Sequence, residues 1–323
     1  MRSKDEIELE DLDGIGPKTA EKLRSIGICS AKHLSLFNVD ELLNLVDADE
    51  RALRRALMHA RSLFMPIKAV KASEYMTRKP LPTMTTGVKS IDNLLGGGLR
   101  PKAIYELCGQ PGTGKTQLCL QLSVTVQLSA NKGGFGAKCY FMDTEGTFSG
   151  NRVKVIAERF GLDPDEALNN IYVIDILNTD QLLHVATSDL VKAVEEGVKL
   201  VIVDSLMSRF RTEYSGRESL ALRQSRLGYV LDWLIRIARL YEVVVVVTTP
   251  VMEVPVAFAS PSDRIRPVGG TTLAHATTHR FLLMSKGEKG YLKGVMTVVD
   301  SPTLPYGATA TYAITERGVE DAH

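Results

Sequence analysis

Eight consecutive residues, Gly109-Gln110-Pro111-Gly112-Thr113-Gly114-Lys115-Thr116, follow the pattern G-x-x-x-x-G-K-[ST]. Glycines let the backbone curl tightly, so that successive N–H groups point at one phosphate. A helix starting at the end of such a loop adds its positive N-terminus to the same anion site. Lys115 then reaches the β and γ phosphates, and the Thr116 hydroxyl ligates Mg²⁺. A glycine-rich turn that merely carries a lysine would lack the context seen here. Ala103 to Leu107 reads as the strand before the loop, and Gln117 to Leu128 as the helix after it. A triphosphate site spanning Gly109 to Gln117 is therefore predicted, with no purpose yet attached to hydrolysis.

Two acidic positions extend that chemistry. Leu200-Val201-Ile202-Val203-Asp204-Ser205 is an apolar strand ending in an acid. Beside a phosphate loop, such an aspartate holds Mg²⁺ through water; on its own it would more often cap a helix. Asp143-Thr144-Glu145-Gly146 follows the strand Cys139 to Met142, and strand C-terminal ends line the ligand crevice of open α/β sheets. A carboxylate there can polarise the water that attacks the γ phosphate. Glu145 is the expected base and Asp143 the alternative, although by spacing alone either residue serves equally well as a helix cap.

A third cluster lies near the N-terminus. Leu12-Asp13-Gly14-Ile15-Gly16-Pro17-Lys18-Thr19-Ala20 matches the hairpin of a helix-hairpin-helix motif. Gly14 and Gly16 would expose backbone N–H groups at a helix start, and Lys18 would add a charge, which grips a phosphate backbone without reading bases. A tight inter-helix turn used only for packing, or for binding protein, is the competing account.

The elements that must position these groups follow from composition and pattern. At 323 residues and 44% hydrophobic, the chain suits one large domain and one small one. A net charge of +1 leaves no global field for nucleic acid, so any such site must be a local patch. Cys29, Cys108, Cys119 and Cys139 follow no C-x-x-C spacing, and reduced, mostly buried thiols are expected. The acidic N-terminus shows no signal peptide, and Val243 to Val247 is far too short to span a bilayer. A cytoplasmic, nucleoid-associated protein without membrane contact is expected. Residues 1–64 read as a small all-α unit and 65–84 as a proline-rich basic linker with a short helix near Ala72. Residues 85–323 read as an α/β core with a mainly parallel sheet. Its strands are Ile104–Leu107, Lys138–Met142, Ile171–Ile176, Leu200–Val203 and Val243–Thr248. From Phe281, antiparallel strands are expected, with turns at Lys286-Gly287 and Pro305-Tyr306-Gly307.

Further motifs occur in a fixed order: Ser208 to Arg217, then Arg223-Gln224, Pro267-Val268-Gly269-Gly270, Leu273 to Thr278, and Asp300-Ser301-Pro302. With these, the chain from Leu9 to its end resembles the archaeal RadA recombinases and their eukaryotic strand-exchange relatives in the RecA superfamily. The resemblance implies a RecA-type, DNA-dependent ATPase using ATP and Mg²⁺, with single- and double-stranded DNA as partners. Glu145 would activate water, and Arg152 would pack on adenine. Arg211, Arg217 and Arg223 would flank the first DNA loop. Residues 251–270, with Phe258, Arg264, Arg266, Gly269 and Gly270, would form the second. Asp300 and Pro302 would cap ATP held by a neighbouring subunit, and His275, near the phosphates, would couple ATP to DNA. The physical reading agrees: two arginine clusters on loops suit single-stranded DNA bound without sequence preference.

Three departures from the family pattern stand out. The linker Phe-x-x-Ala that strings a filament together reads Ala69-Val70-Lys71-Ala72, and loss of such a buried anchor costs about 3–5 kcal/mol. The receiving strand carries bulky residues, Tyr172-Val173-Ile174. The usual Asn-Gln γ-phosphate sensor reads Thr249-Pro250, and proline has no N–H to donate. Ser149-Gly150 also replaces the usual Arg-Pro. A filament-forming or ring-forming recombinase and a non-polymerising paralogue that assists another recombinase both remain open. A P-loop kinase or metabolic ATPase would leave the helix-hairpin-helix without a use.

Overall fold

The computed structural model describes residues 7–77, 79–253, 265–288 and 291–322. They form two units, residues 1–80 with 184–192, and residues 81–183 with 193–323.

In the first unit the short helices α1 (Pro17–Ser25), α2 (Ala31–Leu34), α3 (Val39–Leu45) and α4 (Glu50–Phe64) share one apolar centre. Leu23, Leu34, Leu42, Leu53 and Leu57 are buried there. Helices of this length are marginal alone, and local chemistry defines their starts. The Ser30, Asn38 and Asp49 side chains accept from the third N–H of α2, α3 and α4, and Asn38 and Glu41 complete a capping box. The linker helix α5 (Ala72–Met76) buries no residue.

The second unit carries the sheet. Its strands are β1 (Ala103–Gly109), β2 (Lys138–Asp143), β3 (Ile171–Asp175), β4 (Val198–Asp204), β5 (Val244–Thr249), β6 (Val251–Glu253), β7 (Ile265–Pro267), β8 (His279–Glu288), β9 (Tyr291–Asp300), β10 (Thr309–Thr315) and β11 (Gly318–Asp321). The helices that follow in chain order are α6 (Lys89–Leu94), α7 (Lys115–Thr125), α8 (Gly150–Arg159), α9 (Pro164–Asn169), α10 (Thr179–Thr187), α11 (Asp189–Glu195), α12 (Met207–Glu213), α13 (Leu220–Tyr241) and α14 (Gly270–Ala276). Nine strands form one sheet in the order β11-β10-β9-β8-β1-β5-β4-β2-β3, and β6 and β7 form a separate ribbon. The run from β8 to β3 is parallel, and β9, β10 and β11 add antiparallel.

The central strands β4 and β5 read as Val-rich apolar runs because both faces are covered. All of β1 and β5 is buried. Tyr105 and Leu107 join Leu118 and Leu122 of α7, Phe141, Ile202 and Val246 in one core. α7 is buried from Leu118 to Thr125, as a helix that is apolar all round must be. Within that buried stretch, Gln121 bonds to Thr86 O and to the backbone of Val319.

Three expectations are corrected here. β8 begins at His279 and pairs parallel with β1, Tyr105 opposite His279, so the antiparallel part starts only at β9. Lys286 and Gly287 form no turn: they lie within β8, opposite Lys293 and Leu292, because the ladder continues to Glu288. The helix after the phosphate loop also starts at Lys115 and ends at Thr125, with Gln127 and Leu128 in tighter turn bonds. Pro305-Tyr306-Gly307 is a turn, with Gly307 at φ +76° and Ala308 N donating to Pro305 O.

Candidate nucleotide site and nucleic-acid face

β1 delivers its C-terminal end directly into the loop Gly109 to Thr116. Gly112 (φ +79°) and Gly114 (φ +94°) take left-handed conformations that cost a side chain dearly. A Cβ at Gly114 would meet Ile314 at 2.5 Å, whereas one at Gly112 would stand in open space. The loop therefore rests on β10 on one side and presents its backbone on the other. The Tyr312 hydroxyl of β10 donates to Thr113 O, and Gly294 makes room for that ring, since a Cβ there would lie 2.2 Å from it.

The reacting groups gather at this strand edge. Thr116 Oγ1 donates to Asp204 Oδ2 at 2.7 Å, and the Thr248 hydroxyl at the end of β5 donates to Asp204 Oδ1. Lys115 Nζ donates to the carbonyls of Gly109 and Gln110 at 2.8 and 2.9 Å. Asp143 is fully engaged as a turn anchor: its carboxylate accepts from the N–H groups of Glu145, Gly146 and Phe148 at 2.8–3.0 Å. Thr144 links to both polar backbone groups of Ser205, and the Asp204–Ser205 peptide is cis. Arg209 reaches back to the carbonyls of Ile176 and Thr144. Glu145 itself makes no side-chain hydrogen bond among the described residues. Asp143 thus anchors the turn that carries Glu145.

Electrostatics follow burial. Burial pulls the Lys115 ammonium below its ordinary value, against the pull of Asp204 and Glu145. It pushes Asp204 up, while the Thr248 and Thr116 hydroxyls oppose the shift. The Glu145 residue is exposed, yet partial desolvation of its carboxyl, helped by Asp204, also moves it upward. That direction suits a base working near neutral pH. Two hard oxygen donors 2.7 Å apart suit Mg²⁺, which binds through one or two protein oxygens plus substrate phosphates. With the Gly112–Gly114 cradle and Lys115, the residues present fit a magnesium triphosphate.

Arg152 on α8 lies at the same edge. Its Nε donates to Gln117 Oε1 at 2.7 Å, and its other nitrogens donate to the carbonyls of Thr315 and Glu316. Ser149 caps α8, so the Ser-Gly departure keeps a sound helix start.

His275, Asp300 and Pro302 lie elsewhere. They border a hollow of about 440 Å³ together with Lys102, Ile104 and Arg239. Thr278 bonds to Ile104, which places this hollow at the N-terminal end of β1. Five residues separate Ile104 from Gly109, about 17 Å at 3.3 Å per residue. The expectation that His275 sits near the phosphates fails within one chain, because α14 precedes β8 and so lies at the opposite end of the parallel strands. His279 Nδ1 and Ser301 Oγ, 2.9 Å apart, fix the Asp300-Ser301-Pro302 turn, with Ser301 Oγ also accepting from Thr303 and Leu304 N–H.

A model of the Rad51 family matches residues 77–322. The chain belongs to the Rad51 family. A second match, to a SAM-like helix-hairpin-helix tandem, covers residues 6–62. Rad51-family proteins are ATPases with a RecA-type core, and the mixed sheet described above is that core.

The positions expected to face DNA are only partly brought together. Arg211 on α12 and Arg217 in the following turn are exposed, and Arg223 in the first turn of α13 is half-buried. Arg223 Nε and Gln224 Oε1 are buried without a hydrogen-bond partner among the described residues. Gln224 borders Gly270, whose added Cβ would lie 3.6 Å from Gln224 Nε2. Gly269 (φ +125°) and Gly270 (φ +65°) open α14, so the flanks of both loops meet where α13 and α14 pack. The stem of the second loop is the β6–β7 ribbon, Val251 opposite Pro267. Arg266 lies on β7, and Phe258 and Arg264 lie outside the described residues. In the helical unit, Gly14 (φ +95°) is forced by Ala52 O, 2.6 Å from where its Cβ would be, and Gly16 caps α1 ahead of Pro17. Lys18 is exposed beside them.

The sequence reading missed Thr248, Tyr312, Gln121 and Arg209. A threonine closing an all-valine strand was the available signal for Thr248. The partners of Tyr312 and Gln121 are about 200 residues away in the chain, beyond any local pattern. No helix among the described residues is long and apolar enough to cross a membrane.

Proposed function

We propose that this Rad51-family protein is a DNA-dependent ATPase of the archaeal RadA type, which pairs and exchanges strands in homologous recombination. The observation that carries the reading is the Thr116–Asp204 hydrogen bond next to Lys115 on the phosphate loop, with the turn that carries Glu145 anchored by Asp143. Bound Mg²⁺ would neutralise charge on the β and γ phosphates. Lys115 and the loop N–H groups orient the triphosphate, Thr116 and Asp204 hold the metal, and Glu145 takes a proton from the attacking water. Arg152 and Gln117 border the base. Asp300, Pro302 and His275, out of reach of their own loop, act on nucleotide held by a neighbouring copy. Arg211, Arg217, Arg223, Arg266, Gly269 and Gly270 face DNA, with Gly14, Gly16 and Lys18 adding a backbone grip.

A second reading, a paralogue that assists another recombinase without polymerising, is favoured by the linker. Ala69 and all of α5 are exposed without an aromatic at the anchor position. On β3, Tyr172 is already engaged by Lys138 and Glu196 of its own chain. The test is ATP hydrolysis with and without single-stranded DNA, followed by strand exchange. DNA-stimulated hydrolysis with exchange supports the first reading. Stimulated hydrolysis without exchange supports the second, and hydrolysis indifferent to DNA contradicts both.

A further inference from the structure

We infer that Glu106 is a positioning residue that transmits the state of the nucleotide loop to the second loop. One buried carboxylate holds both ends of a single chain segment. Glu106 lies on β1, three residues before Gly109, and is fully buried. Its Oε1 accepts from Thr249 Oγ1 at 2.6 Å, and its Oε2 accepts from Arg280 Nε at 2.5 Å. Thr249 is the last residue of β5, and Arg280 is the second of β8. Between them the chain leaves the sheet at Pro250, passes through the β6–β7 ribbon and α14, and returns. That span carries the second loop, Gly269, Gly270 and His275.

The sheet order makes the arrangement mechanical. β1 lies between β5 and β8, and Glu106 stands directly opposite Arg280 in register. A displacement at the C-terminal end of β1 therefore acts on both stems of the segment at once. The contact is not easily broken, because a buried carboxylate deprived of a partner is costly. Close-packed interiors pass such displacements on rather than absorbing them. Pro250 offers no N–H, so the Thr249 hydroxyl is the last side-chain donor before the ribbon. This link takes the position that a glutamine sensor one residue later would occupy. It depends on the proposed reading only in taking Gly109 to Thr116 as the nucleotide site.

The experiment is amide hydrogen exchange of residues 265–279 in the full-length protein, with and without magnesium AMP-PNP, whose binding is measured separately on the same samples. Bound AMP-PNP should slow exchange in this segment at least about fivefold, the lower end of ordinary coupling between sites. Thr249→Val should bind AMP-PNP normally and lose that difference, and Thr249→Ser should regain it. Arg280→Lys breaks the same network from the other stem and is read in the same way should Thr249→Val fold poorly. An undiminished nucleotide effect in the folded variant overturns the inference, as does a wild-type protein that binds AMP-PNP without altering this segment. Failure to bind AMP-PNP at all overturns the nucleotide reading and this inference with it.

Discussion

The two ends of the parallel strands differ in kind. At the C-terminal end, the Thr116 and Thr248 hydroxyls bind Asp204, Tyr312 supports Thr113 of the phosphate loop, and Asp143 anchors the turn after β2. At the N-terminal end, exposed His275 and Arg239 border an open hollow with Asp300 and Pro302. The first end is complete in one chain. The second has the charged groups of a phosphate site but no loop to hold a phosphate. On the proposed reading, the sheet carries one whole site and one half site, which a second copy would complete.

Glu145→Gln should break the complete end most strongly. Turnover should fall about 10²–10⁴-fold, the usual worth of a general base, while ATP affinity stays near that of the wild type; steady-state hydrolysis with a binding titration checks this. His275→Ala and Asp300→Ala probe the half site. Each should lower turnover about tenfold, as loss of one charge-assisted contact does. Neither should change ATP affinity in dilute protein, whereas a nucleotide site closed within one chain would respond at every protein concentration. Tyr312→Phe leaves Thr113 O without its donor and should destabilise the core unit by about 1–3 kcal/mol, read as a lower urea midpoint.

The last effect separates the two units. Burial pushes His33 down to about 4, so the folded state favours the neutral ring. That contribution is whole above the ordinary value of 6.5 and is lost as pH falls from 6.5 towards 4. The helical unit should lose about 2 kcal/mol at pH 5 relative to pH 7.5, and His33→Gln should flatten the difference in urea melts.

The phosphate loop, Asp204 and the five central strands were legible because each is encoded by a local run: a glycine pattern, or valines ending in an acid. The helix-hairpin-helix turn was legible for the same reason. What lay outside reach were pairings across long chain separations. Nothing near Tyr312 indicates that it supports Thr113, and nothing near Thr249 indicates Glu106. Lys286-Gly287 was misread because a Lys-Gly pair signals a turn locally, while the β8–β9 ladder overrides it. Asp143 and Glu145 illustrate the limit most clearly. Two residues apart, they serve equally well as helix caps by spacing, and local sequence does not show that Asp143 accepts three backbone N–H groups.

The central claim is that the hollow of one chain completes the nucleotide site of the next. Mixing two impaired variants tests it directly. Lys115→Ala lacks the complete end and keeps the half site; Asp300→Ala does the reverse. With single-stranded DNA present, the mixture should hydrolyse ATP at a rate that neither variant reaches alone, because some junctions pair an intact loop with an intact hollow. A mixture no faster than the sum of its folded parts would contradict the account.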